Sequence, residues 1–167
     1  MDHLVCISTN VVDLGAITPY FVVFRAREAV YELLEACCGA RLTSSYARVG
    51  GLSADVPPNF DEWSRSLFPI IQTQLDDIDG LVSKNRIAHK RMRGTGIVSR
   101  ENAIAWGFTG PCGRASGVGY DVRKDKPYEG YDELDFDVPV MTDGDNYARY
   151  YVRMEEMRQS LRIIDQQ

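Results

Sequence analysis

Asp13 is the residue in this sequence best suited to acid–base chemistry. It sits among Val11, Val12 and Leu14, two positions before Gly15. Burial there would favour the neutral acid, and a cationic partner would restore the carboxylate. Taken alone, an aspartate beside a glycine is more often a helix-end residue making a turn hydrogen bond. Arg41 and Arg48 flank the start of a loop that carries Gly50 and Gly51. Arginine is mostly exposed, so the plain reading is two surface cations. The functional reading sets them against a partner whose negative charge a guanidinium favours.

Other reactive side chains point to less. The cysteines Cys6, Cys37, Cys38 and Cys112 form no C-x-x-C pair. The neighbours Cys37 and Cys38 are poorly placed to grip one ion, so no metal site is expected from them and the two histidines. Reduced, mostly buried thiols are expected instead. Lys84, Arg86, His89, Lys90, Arg91 and Arg93 make a basic segment without interleaved aromatic residues. In a chain of net charge -5 and pI about 5.0 this reads as a solvated charged face, His89 included. A nucleic-acid partner is not expected. His3 reads as a helix-interface residue and not as a ligand. Gly113, Gly117 and Gly119 lack G-x-G-x-x-G spacing, so tight turns explain them better than a nucleotide loop. The acidic, tyrosine-rich run from Tyr120 to Asp137 lacks the EF-hand pattern and reads as an ordered segment that contacts a neighbouring subunit.

The elements that must position these residues are mostly helical. The 167 residues suffice for one domain with a core, and 44% hydrophobic with 26% charged content is ordinary for a globular chain. Leu4, Ile7 and Val11 mark one helix, which Gly15 ends. Thr18 as N-cap and Pro19 in the first turn open a second, ending at Gly39. Its apolar stripe is Val23, Ala26, Val30, Leu33 and Cys37, with Arg25, Glu28, Glu32 and Glu35 opposite. Arg41 to Pro58 is loop-like. Asn59 caps a long helix whose buried side is Phe60, Trp63, Leu67, Ile70, Ile71, Ile78 and Leu81, and which Pro69 should kink or divide. A short helix follows from Ser99 to Trp106. Gly107 to Gly119 is a turn region, and Val118 to Val140 is extended and irregular. A last helix starts near Asp143–Asp145, with Tyr147, Tyr150, Tyr151, Met154, Met157, Leu161 and Ile164 as its stripe. Both ends look cut through helices, so residues 1–167 are expected to be one partial domain, an internal fragment. The most apolar stretch, Val11 to Phe24, is interrupted by Asp13, Gly15, Thr18 and Pro19 and is shorter than the ~20 residues a bilayer needs. No secretory signal is seen.

Several segments carry more than periodicity. They are Val12-Asp13-Leu14-Gly15-Ala16-Ile17-Thr18-Pro19, Gly39-Ala40-Arg41-Leu42, Tyr46-Ala47-Arg48-Val49-Gly50-Gly51 and Asn85-Arg86-Ile87. Further along stand Trp106 to Pro111, Arg114-Ala115-Ser116-Gly117, Asp121-Val122-Arg123-Lys124, Pro127-Tyr128, Phe136 to Val140 and Arg153 to Ile164. In this order they resemble the quinone-site D subunits of respiratory NADH:quinone oxidoreductase (complex I), along nearly the whole chain.

The resemblance implies a mainly α fold with short β segments, part of a helical core like that of nickel–iron hydrogenase large subunits without the metal. It implies that the N-terminal hairpin with its quinone loop and a C-terminal region lie outside this sequence. Quinone would be a substrate at a shared site, and an iron–sulfur cluster would lie on a partner. NADH would be used by the complex and not bound here. The implied partners are other complex I subunits, especially the terminal iron–sulfur subunit and the 30-kDa-type subunit. The implied place is peripheral, on the cytoplasmic face of the bacterial inner membrane, or the matrix side in mitochondria. By resemblance Asp13 is the catalytic-site aspartate that pairs with a quinone-site histidine, a local source or relay for the protons that quinone reduction needs. Arg41 and Arg48 lie by resemblance near the cluster, where a guanidinium favours the reduced form and raises the potential. Thr43 stands where many members carry a histidine linked to the pH dependence of that potential, and threonine does not titrate in the working range. Two other readings compete. One is a catalytically empty helical interaction module. The other is the large subunit of a membrane-bound hydrogenase, which would need C-x-x-C ligand pairs.

Overall fold

The computed structural model describes residues 1–167, and its first helix follows the apolar spacing of the sequence. Helix α1 spans Asp2–Asp13 and buries Leu4, Ile7, Ser8 and Val11. Helix α2 spans Thr18–Cys38 and packs against α1 through Pro19, Val23 and Ala26. Its N-cap is Ile17 and not Thr18 as expected, because Ile17 is already helical at φ -79°, ψ -28°. Thr18 therefore falls inside the first turn, and no side chain caps it. Val30, Leu33 and Cys37 are half-buried, while Arg25, Glu28, Glu32 and Glu35 lie opposite the buried line as the stripe requires. Gly39, at φ +73°, ends α2 with its N–H donating to the Glu35 carbonyl.

The segment after Gly39 is irregular, with one element that the sequence pattern does not announce. Strands β1 (Ala47–Arg48) and β2 (Gly51–Leu52) pair antiparallel, Ala47 opposite Leu52 and Arg48 opposite Gly51. The turn between them is Val49-Gly50, and Gly50 supplies the positive φ, +91°, that a two-residue connection needs. Two-residue strands are too short to show alternation, which is why the pattern is invisible in the sequence. Helix α3 runs from Phe60 to Val82, with Pro69 inside it and no division there. An interior proline costs about 3 kcal/mol, and the helix continues through it with Leu67 and Leu75 buried on either side. Its buried line is Leu67, Leu75, Ile78 and Val82. Ile70 and Leu81, expected inside, are 44% and 41% exposed, because at 100° per residue they fall to the edge of that line.

The chain divides into two compact units, Met1–Gly80 and Leu81–Gln167. The second unit opens with α4 (Arg86–Met92), capped by the Asn85 side chain, which accepts from the N–H of Ile87 and Ala88. Helix α5 (Arg100–Ala105) starts at Ser99 as read from the sequence. The glycine-rich turn region holds an unexpected helix, α6 (Gly110–Ala115), and the stretch expected to be extended holds a short one, α7 (Val122–Asp125), capped by Asp121. Gly113 is required within α6, since a Cβ there would lie 2.9 Å from the Phe108 carbonyl oxygen. Helix α8 spans Asn146–Gln166 and is capped by Asp145, which accepts from the Ala148 N–H at 2.8 Å. Ala115 of α6 packs on Ala148 and Val152 of α8, with Met141 alongside. Of the expected α8 stripe, Tyr150, Met154 and Met157 are buried, but Tyr151 and Ile164 are exposed. A second buried line, Ala148, Val152, Glu156 and Ile163, was not foreseen. It exists because α6 lies against it. The architecture is mainly α with short β segments.

Candidate functional site

In the first unit the four residues singled out from the sequence lie near helix ends and in the following loop. Asp13 is the last residue of α1 and is exposed. Its apolar neighbours suggested burial, but Asp13 is two positions, about 200°, beyond the buried Val11 and so points the other way. The turn after it closes through the backbone, with Gly15 donating to the Val12 carbonyl at 2.8 Å and Ala16 to Val11 at 3.0 Å. It does not need the Asp13 carboxylate, which stays open to an incoming group.

Arg41 turns back onto α2. One end of its guanidinium donates to Glu28, and the other donates to Glu35 at 3.2 Å. Glu28 and Glu35 are two helical turns apart on one face, with Tyr31 between them. The guanidinium lies 5.2 Å from the Tyr31 ring centre, and Arg27 lies 4.6 Å from the same ring. Glu28 first, then Glu35, push the Arg41 guanidinium above its ordinary value, holding it charged. Thr43 has φ +51°, a left-handed conformation unusual for a β-branched side chain. Arg48 is exposed on β1, across from Gly51. Asp13 and Arg41 are not brought together, since Arg41 is bound to Glu28 and Glu35.

The cysteines are free thiols, each half-buried where mostly buried thiols are expected. Burial pushes the Cys37 thiol up, with Cys38 adding to the effect. The Cys38 thiol donates back to the Leu34 carbonyl at 3.0 Å. The Tyr46 hydroxyl is buried without a hydrogen-bond partner, and burial raises it. No group of three or more His, Cys, Asp or Glu side chains stands where it could hold a metal ion.

The second unit contains a charged cluster that sequence reasoning did not find. Arg114 of α6, 8% exposed, donates to Glu156 of α8, 7% exposed, at 2.7 Å. It also donates to the Tyr120 carbonyl at 2.9 Å and lies 4.0 Å from Asp121. Asp121 in turn receives two bonds from the Arg123 guanidinium, at 3.0 and 2.7 Å. Arg123 holds the Asp121 carboxyl below its ordinary range, against the opposing effect of burial. Phe136, 2% exposed, packs under the Arg123 guanidinium and the Lys124 ammonium, 4.9 and 4.4 Å from its ring centre. The segment around Phe136 is tied to α8, where Gln159 accepts from the Asp137 N–H, Gln166 accepts from the Asp135 N–H, and Arg162 pairs with both carboxylates. The available sequence signal was Arg114 flanked by Gly113, Ala115 and Ser116, small residues that let α6 approach α8 closely.

The basic segment is exposed at Lys84, Arg86, Lys90 and Arg91, as expected. His89 departs from that reading. It is half-buried, its ring meets Ser83's carbonyl oxygen, and it packs 4.5 Å from the Tyr147 ring. None of the helices is long and apolar enough to cross a membrane.

Residues 13–167 match the family described as the 49 Kd subunit of respiratory-chain NADH dehydrogenase. Among curated relatives, the second NADH-quinone oxidoreductase D subunit of an Anaeromyxobacter species is 50% identical over 165 residues, 99% of this chain and 38% of the relative. The NADH-quinone oxidoreductase C/D subunit of Bdellovibrio bacteriovorus is 49% identical over 99% of this chain and 30% of its own length. The NADH-quinone oxidoreductase D subunit of Myxococcus xanthus is 45% identical, with 99% and 40% covered. The chain thus spans 30–40% of the length of these relatives.

Proposed function

The chain belongs to the family of the 49 Kd subunit of respiratory-chain NADH dehydrogenase, and from that premise we propose that it is the part of this subunit that helps form a quinone-reduction site and meets the partner on which the terminal iron–sulfur cluster sits. The observation that carries this reading is the extent of the match. It runs along 99% of the chain at 45–50% identity to relatives named as NADH-quinone oxidoreductase D subunits. Asp13, exposed at the end of α1 and unpaired by Arg41, is free to take a cationic partner from elsewhere in the full subunit. There it would steady a proton donor for the reduced quinone. Arg41 and Arg48 stand toward the partner's cluster, where positive charge favours its reduced form. Thr43 leaves that surface without a group that titrates near neutrality. NADH is oxidised elsewhere in the assembly. Membrane association is peripheral and runs through partner subunits, on the cytoplasmic or matrix side.

The test is Asp13→Asn in the full-length subunit within the assembled complex. Quinone reductase activity should fall by about a hundredfold or more, the low side of what acid–base groups contribute. Assembly and NADH oxidation with an artificial acceptor should be kept. Unchanged quinone reduction would refute the assignment of Asp13. A second reading, a helical module that only binds partner subunits, draws on the exposed apolar side chains Ile17, Phe21, Ile104 and Trp106. It predicts that the same variant alters neither activity.

A further inference from the structure

Arg41 is the one candidate residue whose charge is already engaged inside the first unit. Its two ends reach two carboxylates of the same helix, and its face lies near Tyr31. The planar guanidinium allows this fork, and a lysine ammonium would not reproduce it. We infer that Glu28 and Glu35 are positioning residues for Arg41: the fork they form fixes where its positive charge stands and how much of it an electron-transfer partner feels. The inference rests on the reading of Arg41 as a partner-facing residue.

Three features of the site support it. Glu28 and Glu35 lie two turns apart with Tyr31 between them, so the guanidinium is held along the helix and not swung outward. The side chains of Arg41, Glu28 and Glu35 are 40%, 54% and 53% exposed, a setting in which an ion pair contributes little to stability. Removing one carboxylate therefore leaves the fold intact and changes mainly where the guanidinium stands. Finally, Arg27 at the same Tyr31 ring brings the group to two cations and two anions, so the array is neutral while the fork is closed. Loss of either glutamate frees the Arg41 guanidinium to swing out from α2, so a partner feels more of its positive charge and a reduced, more negative cluster is favoured.

The measurement is a redox titration of the partner's terminal iron–sulfur cluster in the assembled complex, read by electron paramagnetic resonance. The variants are Glu28→Gln, Glu35→Gln, Arg41→Gln and Glu28→Gln combined with Arg41→Gln. The cluster's signal intensity reports assembly in each. Arg41→Gln should lower the midpoint potential, and each glutamate variant alone should raise it. In the Arg41→Gln background the Glu28→Gln shift should shrink to a small remainder, because Glu28 acts through Arg41. A full-sized shift in that background, or no shift from either glutamate variant while Arg41→Gln still lowers the potential, would overturn the positioning role and leave Arg41 at the interface. No shift from Arg41→Gln would overturn the underlying reading, and the inference with it.

Discussion

Replacing Glu156 by glutamine should be among the most damaging polar substitutions in the second unit. Glu156 and Arg114 have side chains only 8% and 10% exposed, so solvent screens their pairing little. Glutamine keeps the size of the side chain and removes its charge. The Arg114 guanidinium is then left buried, with the Tyr120 carbonyl and a carboxylate 4.0 Å away that Arg123 already binds. Breaking one side of a buried pair costs about 3–5 kcal/mol. With a urea slope of about 2 kcal/mol per molar, the unfolding midpoint should drop by roughly 2 M. Urea titration followed by far-ultraviolet circular dichroism reads this loss. Hydrogen exchange should localise it to α6 and α8. Removing both charges, as Arg114→Met with Glu156→Leu, should recover part of the loss, since no uncompensated cation remains. A Glu156→Gln midpoint within about 0.5 M of the parent, equal to about 1 kcal/mol at the same slope, would refute the claim that this pair braces α6 to α8.

Acid should weaken the same region through Asp121. Its folded carboxyl lies below the ordinary value of 3.8, so its contribution is full above that value and lost as pH falls through the lower, folded one. Asp121→Asn should remove this part of the acid transition, which unfolding curves between about pH 5 and 2 would reveal. Two glycines should respond unequally to alanine. At Gly39, φ +73° with nothing within 4 Å of a new Cβ, the cost is the left-handed penalty alone, about 1–2 kcal/mol. At Gly144, φ +64°, the Cβ would lie 2.2 Å from the Val98 carbonyl oxygen, so the backbone must move and the cost should exceed about 3 kcal/mol. Thermal unfolding of the two variants compares them directly, and equal losses would contradict the close approach at Gly144.

Local signals were legible and distant pairings were not. The apolar spacing of Leu4, Ile7 and Val11, the stop at Gly39 and the caps Ser99 and Asp145 all rest on residues within a turn or two of each other. The fork at Arg41 was hidden because Glu28 and Glu35 look like an ordinary solvated helix face until the loop folds back over them. The Arg114–Glu156 pair joins residues 42 positions apart, which no periodicity can announce. It also explains why α8 buries the charged Glu156 on the same line as Ala148, Val152 and Ile163. The exposure of Asp13 is hidden for the opposite reason. Its neighbours in sequence are apolar, but a helix sends adjacent side chains to different faces.

The short link between α1 and α2 bears on the order in which the chain acquires structure. Only Leu14 to Ile17 separates the two helices, so their pairing closes a very small loop and can form within microseconds of both helices existing. The second unit has no such shortcut. Thr95 must find Asn146, and Gly94 must find Asp145, 51 positions away. Its core cannot condense until α8 has been synthesised. During translation the first unit can fold while the second still presents Met92, Ala103 and Ala115, buried in the finished unit, on an unfinished chain, the interval in which a chaperone would have most to hold.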